Sequence, residues 1–299
     1  MQKEEALKIL FIINPVSGGK HKVAWEEQIR NYCKISPHQM EFYLLTGNGD
    51  EVSVAHHINS VQPHRVVTVG GDGTVKMVAE LLQDKDISLG IIPAGSANGM
   101  AKELSIPNEI FAALEIAVNG VPTPVDIIKI NDDEICIHLS DIGLNAMLVK
   151  YFESSDKRGM WGYGKAVFRV LYEKQKMYVT IKTDEATIKR KAYMVVLANA
   201  RKYGTGGNIN PQGDVSDGFF EVVIMRKINL LEILKGIFTN KPFHPDKIEV
   251  VKTKSVELST LKKAYFQVDG EYRGKVKSLK AAIIPHAITV MLPAEENRK

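Results

Sequence analysis

The chain has little cysteine, little excess charge and no long apolar run. Cys33 and Cys136 are the only thiols among 299 residues, too few and too far apart for a disulfide framework or a zinc site. A membrane-spanning helix needs ~18–20 apolar residues, and the longest run, LKILFII at 7–13, is strand-sized. The opening MQKEEALK alternates acid and base without an apolar stretch, so no secretory signal is expected. The eight histidines show no HExxH or other paired-ligand spacing. With 39 basic and 35 acidic residues the net charge is +4, a bias too weak to argue for nucleic acid but compatible with a nucleotide or an anionic membrane surface. These absences point to a cytoplasmic protein with no transmembrane segment and no nucleic-acid partner. No heptad or repeat encodes an oligomeric state, which leaves a homodimer open.

What is present is ordinary globular composition, with 44% hydrophobic and 25% charged residues, enough to fill a core. The length suits two domains at ~100–200 residues each. Up to about residue 124, strand and helix signals alternate: apolar strands at 7–13, 40–46, 65–69 and 87–92, with helical spacing after the first, third and fourth. Trp25, Ile29, Tyr32 and Cys33 share one helical face, as do Val75, Val78, Ala79 and Leu82. A further helix is expected from about Ala97. This alternation predicts a Rossmann-like parallel sheet covered on both faces. After Pro122-Thr123-Pro124 the pattern changes to short strands: 125–130, 134–139, 177–183, 191–200, 219–225, 247–253, 255–259, 264–268 and 288–292. These predict an antiparallel β-sandwich. Helical patterns interrupt it at 145–175 and 230–238. The expected fold is α/β plus β, with domains at 1–124 and 125–299 and the last residues able to pack back on the first domain.

Three strand ends carry residues suited to phosphate. RVVTVGGDGTVK at 65–76 delivers Gly70, Gly71 and Gly73, whose bare backbones allow close approach to an anion. Asp72 is placed to hold Mg²⁺ directly or through water, and Thr74 stands near a helix N-terminus that favours anions. Asn14, Pro15, Ser17, Gly18, Gly19 and Lys20 end the first strand, and Pro93, Gly95, Ser96 and Asn98 end the fourth. In open parallel sheets such strand ends converge on one ligand crevice. Neither GxxxxGK[ST] nor GxGxxG occurs, so the loops are of another kind. In the second half, Asp269-Gly270-Glu271 could supply carboxylates for proton transfer or form a common hairpin turn. The segment at 210–220 holds Asp214 and Asp217, which could clamp a cation or lie solvated. Residues 145–174 mix aromatic and aliphatic residues with Lys150, Lys157, Arg158, Lys165 and Arg169, a composition that suits a membrane interface or a half-buried helix.

Read in order, NPVSGG, GGDGT, PAGSAN, NPQGDVSDGFFEV and VDGE resemble the diacylglycerol kinase catalytic family, in its bacterial lipid-kinase branch, with sphingosine and ceramide kinases as relatives. The likeness runs from about residue 8 to 292. It implies an ATP- and Mg²⁺-dependent kinase of a membrane-lipid hydroxyl, diacylglycerol-like or sphingoid, that visits the membrane transiently. By resemblance, Asn14, Pro15, Val16, Ser17, Gly18, Thr46, Gly70, Gly71, Asp72, Gly73, Thr74, Val75, Lys76 and Ser96 contact ATP, which lies between the two domains. Glu271 or Asp269 accepts the hydroxyl proton, and Asp72 organises the catalytic Mg²⁺. A structural Mg²⁺ is expected on Asp214, Asp217 and the carbonyl of Phe219. The sequence departs from the family where GGDGTxNE becomes GGDGT-Val-Lys76-Met77, where Gly99 replaces an acid, and where Gly213 replaces a common Ala. Lys76 is expected to reach a phosphate, and Gly213 to be neutral. Two other readings remain: a catalytically silent lipid- or nucleotide-binding protein, and a kinase of a soluble alcohol such as NAD.

Overall fold

The computed structural model describes residues 6–17, 22–47, 49–153, 169–170, 172–173, 175–201, 209–210, 213–227 and 247–297. Gly18, Gly19, Lys20, Lys157, Arg158, Lys165 and the 230–238 segment lie outside them. The chain forms two compact units, residues 1–125 with 286–299, and residues 126–285.

The first unit alternates as its apolar periodicity dictates: β1 (Lys8–Ile13), α1 (Lys22–Ile35), β2 (Gln39–Leu44), α2 (Asp50–Val61), β3 (Arg65–Gly70), α3 (Asp72–Leu82), β4 (Ser88–Pro93), α4 (Gly99–Glu103) and α5 (Ile110–Asn119). The strands pair in parallel in the order β4-β3-β1-β2. The last five residues of β1, β3 and β4 are buried in an unbroken run, the signature of strands covered on both faces. Ile9, Phe11, Val67 and Ile92 pack against Ile29 and Tyr32 of α1 and Leu114 and Ala117 of α5. Gly90 is obligatory here, because a Cβ would lie 2.8 Å from the Ala117 methyl carbon. The helix expected from Ala97 is two helices. Pro107 disfavours helical geometry in the residue before it, and Ser105 turns through the left-handed region at φ 59°.

The second unit begins within β5 (Val121–Ile130) and contains β6 (Glu134–Cys136), β7 (Leu139–Gly143), α6 (Leu144–Glu153), β8 (Met177–Thr183), β9 (Thr187–Ala192), β10 (Met194–Ala198), β11 (Phe220–Met225), β12 (Ile248–Thr253), β13 (Ser255–Val268) and most of β14 (Glu271–Leu292). The order β12-β11-β10-β7-β13-β14 is antiparallel, and β8 and β9 extend from β13. Phe220, Val222, Ile181, Leu258 and Phe266 fill the core of the sandwich, each such side chain contributing roughly 1.5–3 kcal/mol on burial. The end of β14 belongs to the first unit, where Thr289 and Val290 pair in parallel with Ser88 and Leu89 of β4.

Several strand boundaries differ from expectation, two of them through a change of partner. The 191–200 run divides at Tyr193, because β9 pairs with β8 whereas β10 pairs with β7 and β11. The 134–139 run likewise divides into β6 and the start of β7. The two strands expected at 255–259 and 264–268 are one, with a register shift between Ser259 and Ala264. Most of β14 escaped notice because EYRGKVKSLK presents lysines to solvent at alternate positions and carries little apolar signal.

Candidate active site

The carboxyl ends of β1, β3 and β4 bring the three glycine-rich loops into direct contact. The Asn14 amide donates to the Val69 carbonyl at 2.9 Å. The Asn14 side chain donates from Nδ2 to Thr74 Oγ1 at 3.3 Å, and its Oδ1 accepts the Val16 amide at 3.1 Å. The first loop is thereby latched to the start of α3. The Ala94 amide donates to the Gly70 carbonyl at 2.8 Å. Gly71 and Gly95 then meet backbone to backbone, since a Cβ on Gly95 would lie 2.5 Å from the Gly71 Cα. Gly71 also stands at the N-cap of α3 and offers no side chain to cap it, which leaves the helix start open toward an anion. Asn98 closes the third loop by accepting the Gly95 amide and donating back to its carbonyl.

Asp72 engages both carboxylate oxygens within this cluster. Oδ2 accepts the Gly99 amide at 3.0 Å and Oδ1 the Met100 amide at 3.1 Å, an acid at the opening of α4. Asp72 thereby positions the PAGSAN loop. The Lys76 side chain is 5% exposed, on the face of α3 that also buries Val75 and Ala79. Val16 and Ser96 are exposed at the loop tips, while Pro15 and Ser17 are half-buried. Thr46 follows β2, and its neighbour Asp50 is a residue that sequence reasoning missed. Asp50 is buried and accepts the Thr46 amide, the Thr46 hydroxyl at 2.8 Å and the Gly47 amide at 2.8 Å. The Thr46 amide, aided by the Gly47 amide and the Thr46 hydroxyl, holds the Asp50 carboxyl below its ordinary range against the effect of burial.

In the second unit the two acids of the DGE turn are unlike. Asp269 and Gly270 form the two-residue connection between β13 and β14, both with positive φ (49° and 86°), as a type I′ hairpin turn requires. Asp269 Oδ1 accepts the amides of His138 at 2.9 Å and Leu139 at 3.2 Å and the Cys136 thiol at 3.3 Å; Oδ2 accepts the Ile137 amide at 3.1 Å. Its carboxylate is a structural hub. Glu271 is 49% exposed, and among the described residues only its Oε2 is held, by Arg273 at 2.7 Å, while Arg273 also bridges to Glu134. Of the two candidates, Glu271 is the more exposed, and among the described residues its Oε1 accepts no hydrogen bond. Gln267 supports the turn, accepting the Gly270 amide at 2.7 Å and donating to Asp141 at 2.5 Å. Burial raises the Asp141 carboxyl to about 6, although Asn145, Gln267 and the Ala146 amide all donate to it.

The acidic loop was expected to hold a structural Mg²⁺ through Asp214, Asp217 and the Phe219 carbonyl. The donors are oxygens suited to that ion, yet the arrangement does not fit one. Lys252 Nζ lies 2.6 Å from Asp217 Oδ2 and 4.9 Å from the Phe219 ring centroid. Asp217 Oδ1 accepts the Phe219 amide, and Asp214 Oδ1 accepts both the amide and the hydroxyl of Ser216. An ammonium stands where the cation was expected. Among the described residues no group of three acids, histidines or cysteines is arranged to hold a metal. Two buried acids missed in the sequence anchor this loop. Asp126 accepts the Gly218 amide at 2.6 Å. Glu221 accepts Asn210 at 2.6 Å; burial pushes its carboxyl upward, with Asp217 and Asp214 adding to the shift and Asn210 and Lys252 opposing it. Gly213 is not neutral, because a Cβ there would run into the Asn210 amide.

A family model described as the diacylglycerol kinase catalytic domain matches residues 8–130, and one described as the YegS C-terminal NAD kinase beta sandwich-like domain matches 141–292. The chain belongs to the diacylglycerol kinase catalytic family. Membership makes it an ATP-dependent lipid kinase. It is 29% identical over 278 residues to a diacylglycerol kinase of Staphylococcus saprophyticus, covering 89% of each chain. It is 26% identical over 265 residues to a probable lipid kinase YegS-like of Chromohalobacter salexigens, covering 86% of this chain and 85% of that one. The fold matches a crystal structure of a diacylglycerol kinase from Bacillus anthracis with a TM-score of 0.73 at 19% identity, over 97% of this chain and 98% of that one. No helix among the described residues is long and apolar enough to cross a membrane.

Proposed function

We propose that the chain transfers the γ-phosphoryl group of ATP, delivered as its magnesium complex, to a hydroxyl of a membrane lipid, diacylglycerol-like or sphingoid. The observation that carries this reading is the backbone contact of Gly71 with Gly95 beside an α3 start that no side chain caps. Methyl groups there would fill a cradle that bare amides can offer to phosphates. Asn14, Pro15, Val16, Ser17, Gly70, Gly71, Gly73, Thr74, Val75 and Ser96 would line it, with Gly18 beyond the described residues. Bound ATP supplies the phosphoryl donor. Asp72 holds the third loop in place, and Thr46 is held by Asp50.

The lipid hydroxyl loses its proton to Glu271 Oε1, its oxygen bonds to the γ-phosphorus, and the bond from that phosphorus to the β,γ-bridging oxygen breaks to release ADP. Asp269 fixes the turn that presents Glu271. The lipid tails would enter the β-sandwich unit. The test is transfer from γ-labelled ATP to diacylglycerol, monoacylglycerol, phosphatidylglycerol, sphingosine and ceramide in mixed micelles, with NAD as a control. Label on one lipid class names the acceptor. Label on NAD alone, or on nothing while nucleotide still binds, contradicts the reading.

A further inference from the structure

The outer face of the second unit's sheet is unevenly charged along its length. On β8 and β9, cross-strand register places Tyr178 opposite Lys191 and Thr180 opposite Lys189 on the face away from the core. On the other side of β8 the register with β13 runs to Thr260 opposite Val179. Both of those point inward. One position further, Leu261 falls alongside Tyr178, and both are outward. Leu261 is 72% and Tyr178 55% exposed. Lys262 and Lys263 follow in the irregular stretch of β13, and Lys277 of β14 adjoins it, its carbonyl accepting the Thr260 hydroxyl at 3.2 Å. All five lysines are exposed. The carboxylates of this face lie toward the opposite end: Glu257 is shared by Lys182 and Lys280, and Asp184 and Glu185 sit in the β8–β9 turn. Two exposed apolar side chains thus share this end of the sheet with five exposed lysines, and the carboxylates of the face among the described residues lie toward the other end.

We propose that this end of the sheet, centred on Tyr178 and Leu261, docks on an anionic bilayer. The apolar pair would enter the headgroup boundary, where Tyr is at home, and Lys189, Lys191, Lys262, Lys263 and Lys277 would meet lipid phosphates. The surface gives the lipid-kinase reading a means of reaching its substrate and rests on that reading for its purpose. Of the membrane stretch expected at 145–174, Lys150 sits 5.0 Å from the Tyr265 ring centroid, and residues 154–168 lie outside the described residues.

Co-sedimentation with vesicles tests this without nucleotide or turnover. Wild-type protein should bind phosphatidylcholine vesicles containing about one-third phosphatidylglycerol and not pure phosphatidylcholine, with binding weakened by salt. At about fivefold per lysine, Lys262→Gln with Lys263→Gln should lower the partition coefficient about 25-fold, and Lys189→Gln with Lys191→Gln similarly. Leu261→Ser should weaken binding at unchanged charge. These exposed positions leave the core intact, and an unchanged thermal midpoint verifies each variant. Activity on short-chain lipid in neutral micelles should be retained, so a failure of docking is distinguishable from a failure of the kinase reading. Equal binding to both vesicle types, binding that survives both lysine pairs, or displacement by millimolar soluble glycerol phosphate would each overturn the proposal.

Discussion

The backbones of Gly71 and Gly95 touch: a Cβ on Gly95 would lie 2.5 Å from the Gly71 Cα, whereas a Cβ on Gly71 would lie 3.2 Å from the Gly95 Cα. The relationship joins the GGDGT and PAGSAN loops and is asymmetric. Gly95→Ala must push the loops apart, at about 1–3 kcal/mol, while Gly71→Ala needs only a few tenths of an ångström. Thermal unfolding and titration with a fluorescent ATP analogue should show Gly95→Ala the less stable and the weaker binder. Equal effects would mean that the loops yield freely.

Lys252 makes a second prediction. With its ammonium on Asp217, the acidic loop needs no divalent ion, so millimolar Mg²⁺ or a chelator should leave the wild-type thermal midpoint unchanged to within about 1 °C. Lys252→Met removes the internal cation, leaves Asp217, Asp214 and Glu221 without it, and should create Mg²⁺-dependent stabilisation. If Mg²⁺ stabilises the wild type and Asp217→Asn abolishes that effect, the ion displaces the lysine.

Asp141 makes a third. Its folded pKa, about 6, stands above the ordinary aspartate value of 3.8 because burial disfavours the charge. Between those values the folded state holds the proton more tightly than the unfolded state. The group's contribution is therefore most favourable below about pH 4 and is lost as pH rises through 6, by roughly 3 kcal/mol. Asp141→Asn has no such proton. Urea unfolding should show wild type losing stability relative to the variant between pH 4 and pH 7, and a constant difference would contradict this.

Much of this was legible in the sequence. Apolar runs ended by Asn14-Pro15, Gly70-Gly71 and Pro93 located β1, β3 and β4 and the loops after them, because a strand covered on both faces cannot hide its composition. The long strand β14 was not legible, since its solvated lysines dilute the apolar signal. Asp126 offered one cue, an acid inside the apolar strand VDIIKI. Asp50 offered another, following a Gly-Asn-Gly run at a helix start. Lys252, Gln267 and Arg273 offered none. Their roles come from cross-strand neighbours distant in sequence, 35 residues away for Lys252 and Asp217. The same limit applied to the DGE turn, whose two acids differ only through the partners that β7 and the residues before it bring to Asp269.

That difference is the most direct test of the account. Glu271→Gln and Asp269→Asn should be compared for thermal midpoint and for turnover with saturating ATP and lipid. Glu271→Gln should keep the wild-type midpoint and lose about 10²–10⁴-fold in kcat. Asp269→Asn, which turns an amide toward three backbone N–H donors, should lose about 2–4 kcal/mol of stability. Near-normal kcat in Glu271→Gln, or a fully stable Asp269→Asn that is catalytically dead, would contradict the assignment of Glu271 as the proton acceptor.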